Sequence, residues 1–322
     1  MHSHNLESKI KGYLWGAACG DALGMPIEFS SLGDIKSRYG EKGIQKLDPN
    51  SPWTDDTQMI IALAKALIRS AELDTEDIMD IISQEFINWL DDPGIAPGNT
   101  CRQGVLNLKK GIHWSKSGVT RSKGCGSLMR CGIIGVVYHN DIDKLIDISS
   151  LSGAITHGHP TAKAASIAGS YAVKLAIDGV EPVDMLKPLS TVTEGISSEF
   201  TESLSNAFKL ASSNITDEDG LKILGEGWIA EEAFALSYFC ILRWPDDFKK
   251  AVQVAVNIDG DSDSIGCVVG GILGARLGFE AIPFEWKNNL SDKDKIRILT
   301  DDVVEKVKYL YKTTIKASKG AN

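Results

Sequence analysis

Residues 257–278 read NIDGDSDSIGCVVGGILGARLG, with Asp259, Asp261 and Asp263 two apart and Ser264 opening an apolar, small-residue run. A second acidic group, Thr54-Asp55-Asp56 in SPWTDDTQMIIALAKAL, also stands directly before an apolar helical pattern. Each group alone fits a helix start, where side-chain oxygens cap free N–H groups and carboxylates meet the positive end of the macrodipole. Brought together, the two groups would place four carboxylates and two hydroxyls around one point, and these would repel one another strongly unless cations lay between them. Hard oxygen donors without a Cys or His partner select Mg²⁺, Mn²⁺ or Ca²⁺ over zinc, and two such ions a few ångströms apart bind and activate water. A calcium loop of the EF-hand type is excluded: counted from Asp259, the sixth residue is Ser264 rather than glycine and the twelfth is Gly270 rather than glutamate.

Three further stretches carry chemistry. In GDALGMPIEF, Asp21 and Glu28 flank a Gly-Met-Pro turn, and Glu28 is placed to serve as a further ligand or as a base for water. In TRSKGCGSLMRCG (120–132), glycines and small residues expose backbone N–H groups ahead of a helix expected from Leu128, a nest for a diphosphate aided by Ser122 and Ser127. It is no Walker loop, since no Gly-Lys-Ser/Thr follows at the required spacing. Arg130 faces either phosphate or the acidic cluster; the sequence leaves both open. His157 and His159 form an H-x-H pair without an acidic or thiolate third ligand nearby, so His157 reads as a hydrogen-bond donor to a phosphate or ribose.

The elements that must position these residues are helices. Apolar residues recur at three- and four-residue steps over 57–70 and 76–90, and residues 160–177 place Ala164, Ala168, Ala172 and Ala176 in one row. Residues 230–242, 246–257 and 301–317 also read as helices, and two-residue alternation is scarce, so an all-α fold of many helices is expected. Glycines at 266, 270, 274 and 278 form a stripe after the aspartates. Each costs a helix about 1 kcal/mol relative to alanine, so close approach of another helix is expected in return. No linker or fixed-period repeat divides the chain, which predicts a single domain over 1–322 with its core at about 8–317. Segment 186–220, rich in Ser, Thr and Glu, is expected to be a surface excursion.

Bulk properties exclude several classes. The 322 residues carry a formal charge of −9, with 43% apolar and 24% charged residues. Such a composition is globular, and its acidity argues against nucleic acid as a partner. Six scattered cysteines without C-x-x-C spacing predict reduced, buried thiols. The N-terminus lacks the pattern of a signal peptide, and the longest apolar run, Ile265–Leu273, is far short of the ~20 residues that span a bilayer. No membrane association and a cytoplasmic location are expected.

The ordered set GDALGMPIEF, WTDDTQM, GNTCRQG, KGCGSLMR, THGHP, GEGWIAEEAFAL and NIDGDSDSIG resembles the ADP-ribosylglycohydrolase family, which includes ADP-ribosylarginine hydrolases and the glycohydrolase that activates dinitrogenase reductase. The resemblance implies an all-α enzyme that uses two Mg²⁺ or Mn²⁺ ions to remove ADP-ribose from modified proteins. By position, Thr54, Asp55 and Asp56 resemble the first metal-binding group, and Asp261, Asp263 and Ser264 the second. Glu28 resembles the acidic residue beside them, a candidate catalytic residue together with Asp55. Ser122, Lys123, Gly124, Cys125, Gly126, Ser127 and Leu128 resemble the diphosphate-contacting loop. His157 resembles the histidine that touches ADP-ribose, and Trp228 and Ile229 lie where the family lines the adenosine pocket.

Three departures stand out. Serines replace the threonines many members carry at the last motif, Asp259 adds charge where many have glycine, and Cys125 stands where many have asparagine. The expected partners are an ADP-ribosylated protein, ADP-ribose itself and, as functional counterpart, an ADP-ribosyltransferase. ADP-ribosyl-arginine is the substrate favoured; ADP-ribosyl-serine and O-acetyl-ADP-ribose are the alternatives. Hydrolysis of another phosphorylated glycoside, or sequestration of an ADP-ribosylating toxin by an immunity protein, are rival classes.

Overall fold

The protein is described by a computed structural model covering residues 2–91 and 96–320, with side chains over 5–91 and 96–313. Among the described residues there are seventeen α-helices and no strand, only isolated bridges such as Gly124 with Ile229. The helices surround one contiguous hydrophobic core.

At its centre the helix Ser262–Leu277 lies against the first helix, His2–Gly24. Two glycine stripes, not one, make the contact. A Cβ added to Gly12 would lie 2.0 Å from the Gly274 carbonyl oxygen, one on Gly16 2.2 Å from that of Gly270, and one on Gly20 1.9 Å from that of Gly266. At such separations no side chain larger than hydrogen fits between the backbones. The helix cost of the glycines is thereby offset by close packing along the whole length of the pair. The stripe also delivers Asp261 and Asp263, at one end of the second helix, beside Gly24 at the end of the first.

The helices expected from periodicity are present as Asp55–Ser70, Thr75–Asp91, Pro160–Asp178, Ala230–Arg243 and Phe248–Val256. The alanine row at 164, 168, 172 and 176 is buried throughout. The last helix runs from Lys293 to Gly320, starting earlier than its expected 301.

Two expectations are corrected. Segment 186–220 is no surface excursion: it forms helices Leu186–Val192, Ser198–Ala211 and Asp217–Leu224. Phe200, Leu204 and Ala207 repeat at helical spacing and are buried, with the Phe200 ring 5.3 Å from that of Phe234. Ser197 and Thr216 are N-caps, which explains a hydroxyl-rich composition that reads as loop. Nor does a helix begin at Leu128; a 3₁₀ turn, Cys125–Ser127, precedes a short helix, Gly132–Val137. No helix of the described residues is long and apolar enough to cross a membrane.

Candidate metal and substrate site

The first acidic group is held from behind by a residue whose role the sequence does not reveal. Asp21 lies inside the first helix, fully buried, rather than on the turn that follows it. Its carboxylate accepts from the Thr54 N–H at 3.0 Å and hydroxyl at 3.0 Å, and from the Thr57 N–H at 3.0 Å and hydroxyl at 2.5 Å. Asp21 therefore satisfies the free amides at the start of helix Asp55–Ser70 in place of water. Thr54 Oγ1 also accepts from the Asp56 N–H at 3.3 Å, and Asp55 Oδ2 accepts from the Gly98 N–H at 3.1 Å. With these ties Asp55 and Asp56 are fixed on the first turn, both nearly buried.

The second group faces the first across one cavity, which Asp55, Asp56, Asp261 and Asp263 all line. Carboxylate oxygens of Glu28, Asp261 and Asp263 lie within 4.8 Å of one another. Burial, then repulsion from Asp263 and Asp261, pushes Glu28 up to about 9. Burial first, with Asp263 adding repulsion, raises Asp55 to about 7; Asp56 and Asp261 are driven well above the ordinary carboxylate range for the same two reasons. Asp56 Oδ1 and Asp263 Oδ1 are buried and have no hydrogen-bond partner. Two unpartnered buried carboxylate oxygens, surrounded by others that resist ionisation, fit a hard divalent cation. Thr54, Asp55, Asp56, Asp261, Asp263 and Ser264 are the residues that would hold such ions, with Glu28 at the edge.

Asp259, the remaining carboxylate of the motif, points elsewhere. Its Oδ1 accepts from the Leu32 N–H at 2.7 Å and ties this loop to the start of helix Leu32–Tyr39.

The loop 122–128 contributes only its middle to the same space. A cavity of about 450 Å³ is lined by the acidic cluster, Gly124, Cys125, Gly126, His157 and Trp228, among others. Ser122 pairs with the Thr100 hydroxyl at 3.0 Å, and Lys123 is tied to Glu199 and Glu231. Ser127 donates to the Ala162 carbonyl at 3.2 Å, and Leu128 belongs to the core. Ile229 pairs its backbone with Gly124 and does not reach the cavity wall. These five side chains shape the loop from outside, whereas Gly124, Cys125 and Gly126 face the cavity. The Cys125 N–H is committed to the Trp228 carbonyl at 3.1 Å, which locks the loop to the Trp228 segment.

His157 is buried beneath the loop, its Nδ1 2.8 Å from Thr156 Oγ1. Burial, reinforced by the Arg130 charge, lowers it to about 3, so it is neutral near pH 7 and acts as a hydrogen-bonding group rather than a cation. Arg130 serves the acidic cluster only at a distance: burial dominates at Asp55, and the Arg130 charge opposes that rise without a hydrogen bond to the carboxylate. It is buried over the Phe86 ring and donates to Gly126 O, Ser152 O at 3.0 Å and Thr156 Oγ1 at 2.7 Å. It is a brace beneath the loop.

The family model for ADP-ribosylglycohydrolase matches residues 2–312. The chain belongs to this family. An ADP-ribosyl-[dinitrogen reductase] glycohydrolase of Rhodospirillum rubrum is 27% identical, the match covering 91% of this chain and 94% of that one. The human ADP-ribosylhydrolase ARH3 is 24% identical over 92% of this chain and 93% of its own. A solved structure titled ADP-ribosylglycohydrolase-related protein complex shares the fold, with a TM-score of 0.76 at 23% identity over 94% of this chain and 99% of that one.

As a member of the ADP-ribosylglycohydrolases, the chain hydrolyses ADP-ribose linkages. Its Cys125 thiol donates to Asp261 Oδ2 at 2.8 Å and lies 3.7 Å from Ser264 Oγ, so the departure from asparagine falls directly on the second acidic group. What the sequence missed is Asp21 and Thr57 behind the first group. The signal lay in TDDT, whose second threonine repeats the first at helical spacing.

Proposed function

We propose that the chain hydrolyses the N-glycosidic bond between ADP-ribose and an arginine side chain, with two divalent cations, Mg²⁺ or Mn²⁺, held by the paired acidic groups. One observation carries the choice of arginine. Among the described residues, the cavity wall presents Glu28, Asp55, Asp56, Asp261 and Asp263, and no lysine or arginine. Even with two divalent cations bound, five ionised carboxylates leave the wall one negative charge in excess, which would favour a guanidinium-bearing substrate, cationic at the scissile end, over an ester or a serine O-glycoside, neutral there.

When bound, the cations supply positive charge for ribose hydroxyls and diphosphate and lower the pKa of nearby water. The remaining work falls to the chain. A Cβ on Gly124 or Gly126 would meet the His157 ring at 3.1 or 3.0 Å, so these glycines let neutral His157 sit close beneath the loop to hydrogen-bond the ligand. Trp228 offers an aromatic wall for the adenosine.

Glu28 orients the attacking water and holds its proton on a carboxylate oxygen as the new O–C1″ bond forms. The C1″–N bond breaks, its electron pair stays on the departing guanidine nitrogen, and Glu28 returns the proton to it. The products are ADP-ribose and unmodified arginine, with Glu28 again ionised. Burial and the charges of Asp263 and Asp261 push Glu28 up to about 9 when no cation lies beside them, so Glu28 would be freed to ionise and take this proton by cations held at those aspartates. Asp55 is the second candidate for the same proton.

The test is release of ADP-ribose from ADP-ribosyl-arginine, ADP-ribosyl-serine and O-acetyl-ADP-ribose, each with Mg²⁺ or Mn²⁺. Preferential turnover of the arginine conjugate is expected. Turnover confined to the O-linked conjugates would overturn the arginine reading, and binding of ADP-ribose without any turnover would favour a sequestering protein.

A further inference from the structure

Phe29, the residue after Glu28, breaks two rules at once. Its φ is +62°, the left-handed region that a bulky residue rarely adopts, and its side chain is 73% exposed. Two contacts hold it there. Its N–H donates to the Gly260 carbonyl at 3.3 Å, and its ring stacks on Trp228 with centroids 5.0 Å apart and planes 13° apart.

Trp228 is itself anchored. Its Nε1–H donates to Glu226 Oε2 at 3.0 Å, and its carbonyl accepts from Cys125. The Glu226 carbonyl accepts in turn from the Asp261 N–H at 2.9 Å. The turn that bears Glu28, the Trp228 segment and the aspartate loop thus close into a ring of contacts around the mouth of the cavity.

We propose that Phe29 is a positioning residue: its ring, clasped on Trp228, holds the left-handed turn that keeps Glu28 facing Asp261 and Asp263. The left-handed backbone at Phe29 reverses the chain, so that Glu28 points into the cluster while the next side chain swings out over Trp228. Without the ring, Phe29 itself keeps only its 3.3 Å bond to Gly260 against the strain of its left-handed backbone, while the turn on either side stays tied by Glu28 N–H to Gly24 O at 3.1 Å and Ser30 N–H to Ile27 O at 3.0 Å. This inference rests on the assignment of Glu28 above.

The experiment is a double-mutant cycle on release of ADP-ribose from ADP-ribosyl-arginine at saturating Mn²⁺, with ADP-ribose affinity and tryptophan emission measured alongside. Phe29→Ala is expected to lower kcat about 10- to 100-fold, within the range of general-base help, and to leave the ADP-ribose Kd within about threefold. Phe29→Tyr, which keeps the ring, restores kcat. Phe29→Ala shifts the emission of the protein and Phe29→Tyr returns it, reporting the stack on Trp228.

Because Phe29 acts through Glu28, Glu28→Gln with Phe29→Ala is no slower than Glu28→Gln alone. Full kcat in Phe29→Ala beside an impaired Glu28→Gln overturns the positioning role and leaves Glu28 standing. Full kcat in Glu28→Gln removes the Glu28 assignment, and the positioning role with it. Additive losses, or a raised Kd at unchanged kcat, make Phe29 an independent substrate contact and also overturn the proposal.

Discussion

Asp21 accepts hydrogen bonds from the backbone N–H and the hydroxyl of Thr54, from inside a helix more than thirty residues earlier in the chain. A buried carboxylate thus sets the turn on which Asp55 and Asp56 stand. Replacing it with an amide would aim an NH₂ group at the donors of either Thr54 or Thr57. Asp21→Asn is expected to weaken Mn²⁺ binding by about 10- to 100-fold, the range for residues that orient metal ligands, and to lower the thermal midpoint. Calorimetric titration with Mn²⁺ checks this; wild-type affinity would contradict the role given to Asp21.

The paired glycine stripes make a prediction about stability. Gly270→Val sets a branched side chain where even a Cβ lies 2.1 Å from the Gly16 carbonyl oxygen, and the protein should not fold at 37 °C by about the standard of severe overpacking. Gly33, in helix Leu32–Tyr39, has nothing nearer than 3.7 Å to an added Cβ. Gly33→Ala should raise stability by about 0.4–1 kcal/mol through helix propensity and a less disordered unfolded chain. Denaturant unfolding of both variants separates packing from composition.

The pH dependence of stability follows from the raised carboxyls. Their folded pKa exceeds the unfolded value, so the folded state binds more protons and stability falls as pH rises. In metal-free protein the loss begins above the ordinary carboxylate range and continues as Asp21 and Asp55 titrate about 7 and Glu28 about 9. Divalent cations bind the ionised forms and reverse the loss. The thermal midpoint without metal should fall between pH 5 and pH 9 as on the order of several carboxylates ionise, and the rise on adding Mg²⁺ should be greatest at the alkaline end. A metal-induced rise independent of pH would show that these carboxyls do not meet the ion.

Gly126 tests the loop from beneath. An added Cβ would lie 2.5 Å from Cys101 Sγ and 3.0 Å from the His157 ring, so the side it leaves open faces the cavity floor. Gly126→Ala should displace His157 and raise the ADP-ribose Kd by about tenfold, the loss of roughly one good hydrogen bond. An unchanged Kd by calorimetry in the folded variant would remove His157 and the loop from the binding surface.

Much of the site was legible because it is built from contiguous motifs at helix starts, where residue type and position both follow from capping. Thr54, Asp55, Asp56, Asp261 and Asp263 needed no tertiary information to be grouped by chemistry. Asp21 did, since nothing local distinguishes a solvated turn aspartate from one buried under two threonines. The glycines at 12, 16, 20 and 24 repeat the spacing of 266, 270 and 274 and were readable as the partner stripe, yet only their juxtaposition gives either stripe a reason. Segment 186–220 was misread because N-cap hydroxyls and exposed polar faces outweigh a narrow apolar stripe in composition. Arg130 lay beyond sequence reasoning, because a buried cation whose partners are mostly carbonyl and hydroxyl oxygens leaves no charge pattern.

The central claim is that the two acidic groups act together as one divalent-cation site for glycosidic hydrolysis. The most direct measurement is ADP-ribose release from ADP-ribosyl-arginine by chelated wild type, Asp56→Ala and Asp261→Ala as Mg²⁺ is restored. Wild type should recover full turnover, while each variant, one from each group, should stay folded and lose nearly all of it at every Mg²⁺ concentration. Undiminished turnover in either variant, or in chelated wild type without added metal, would contradict the account.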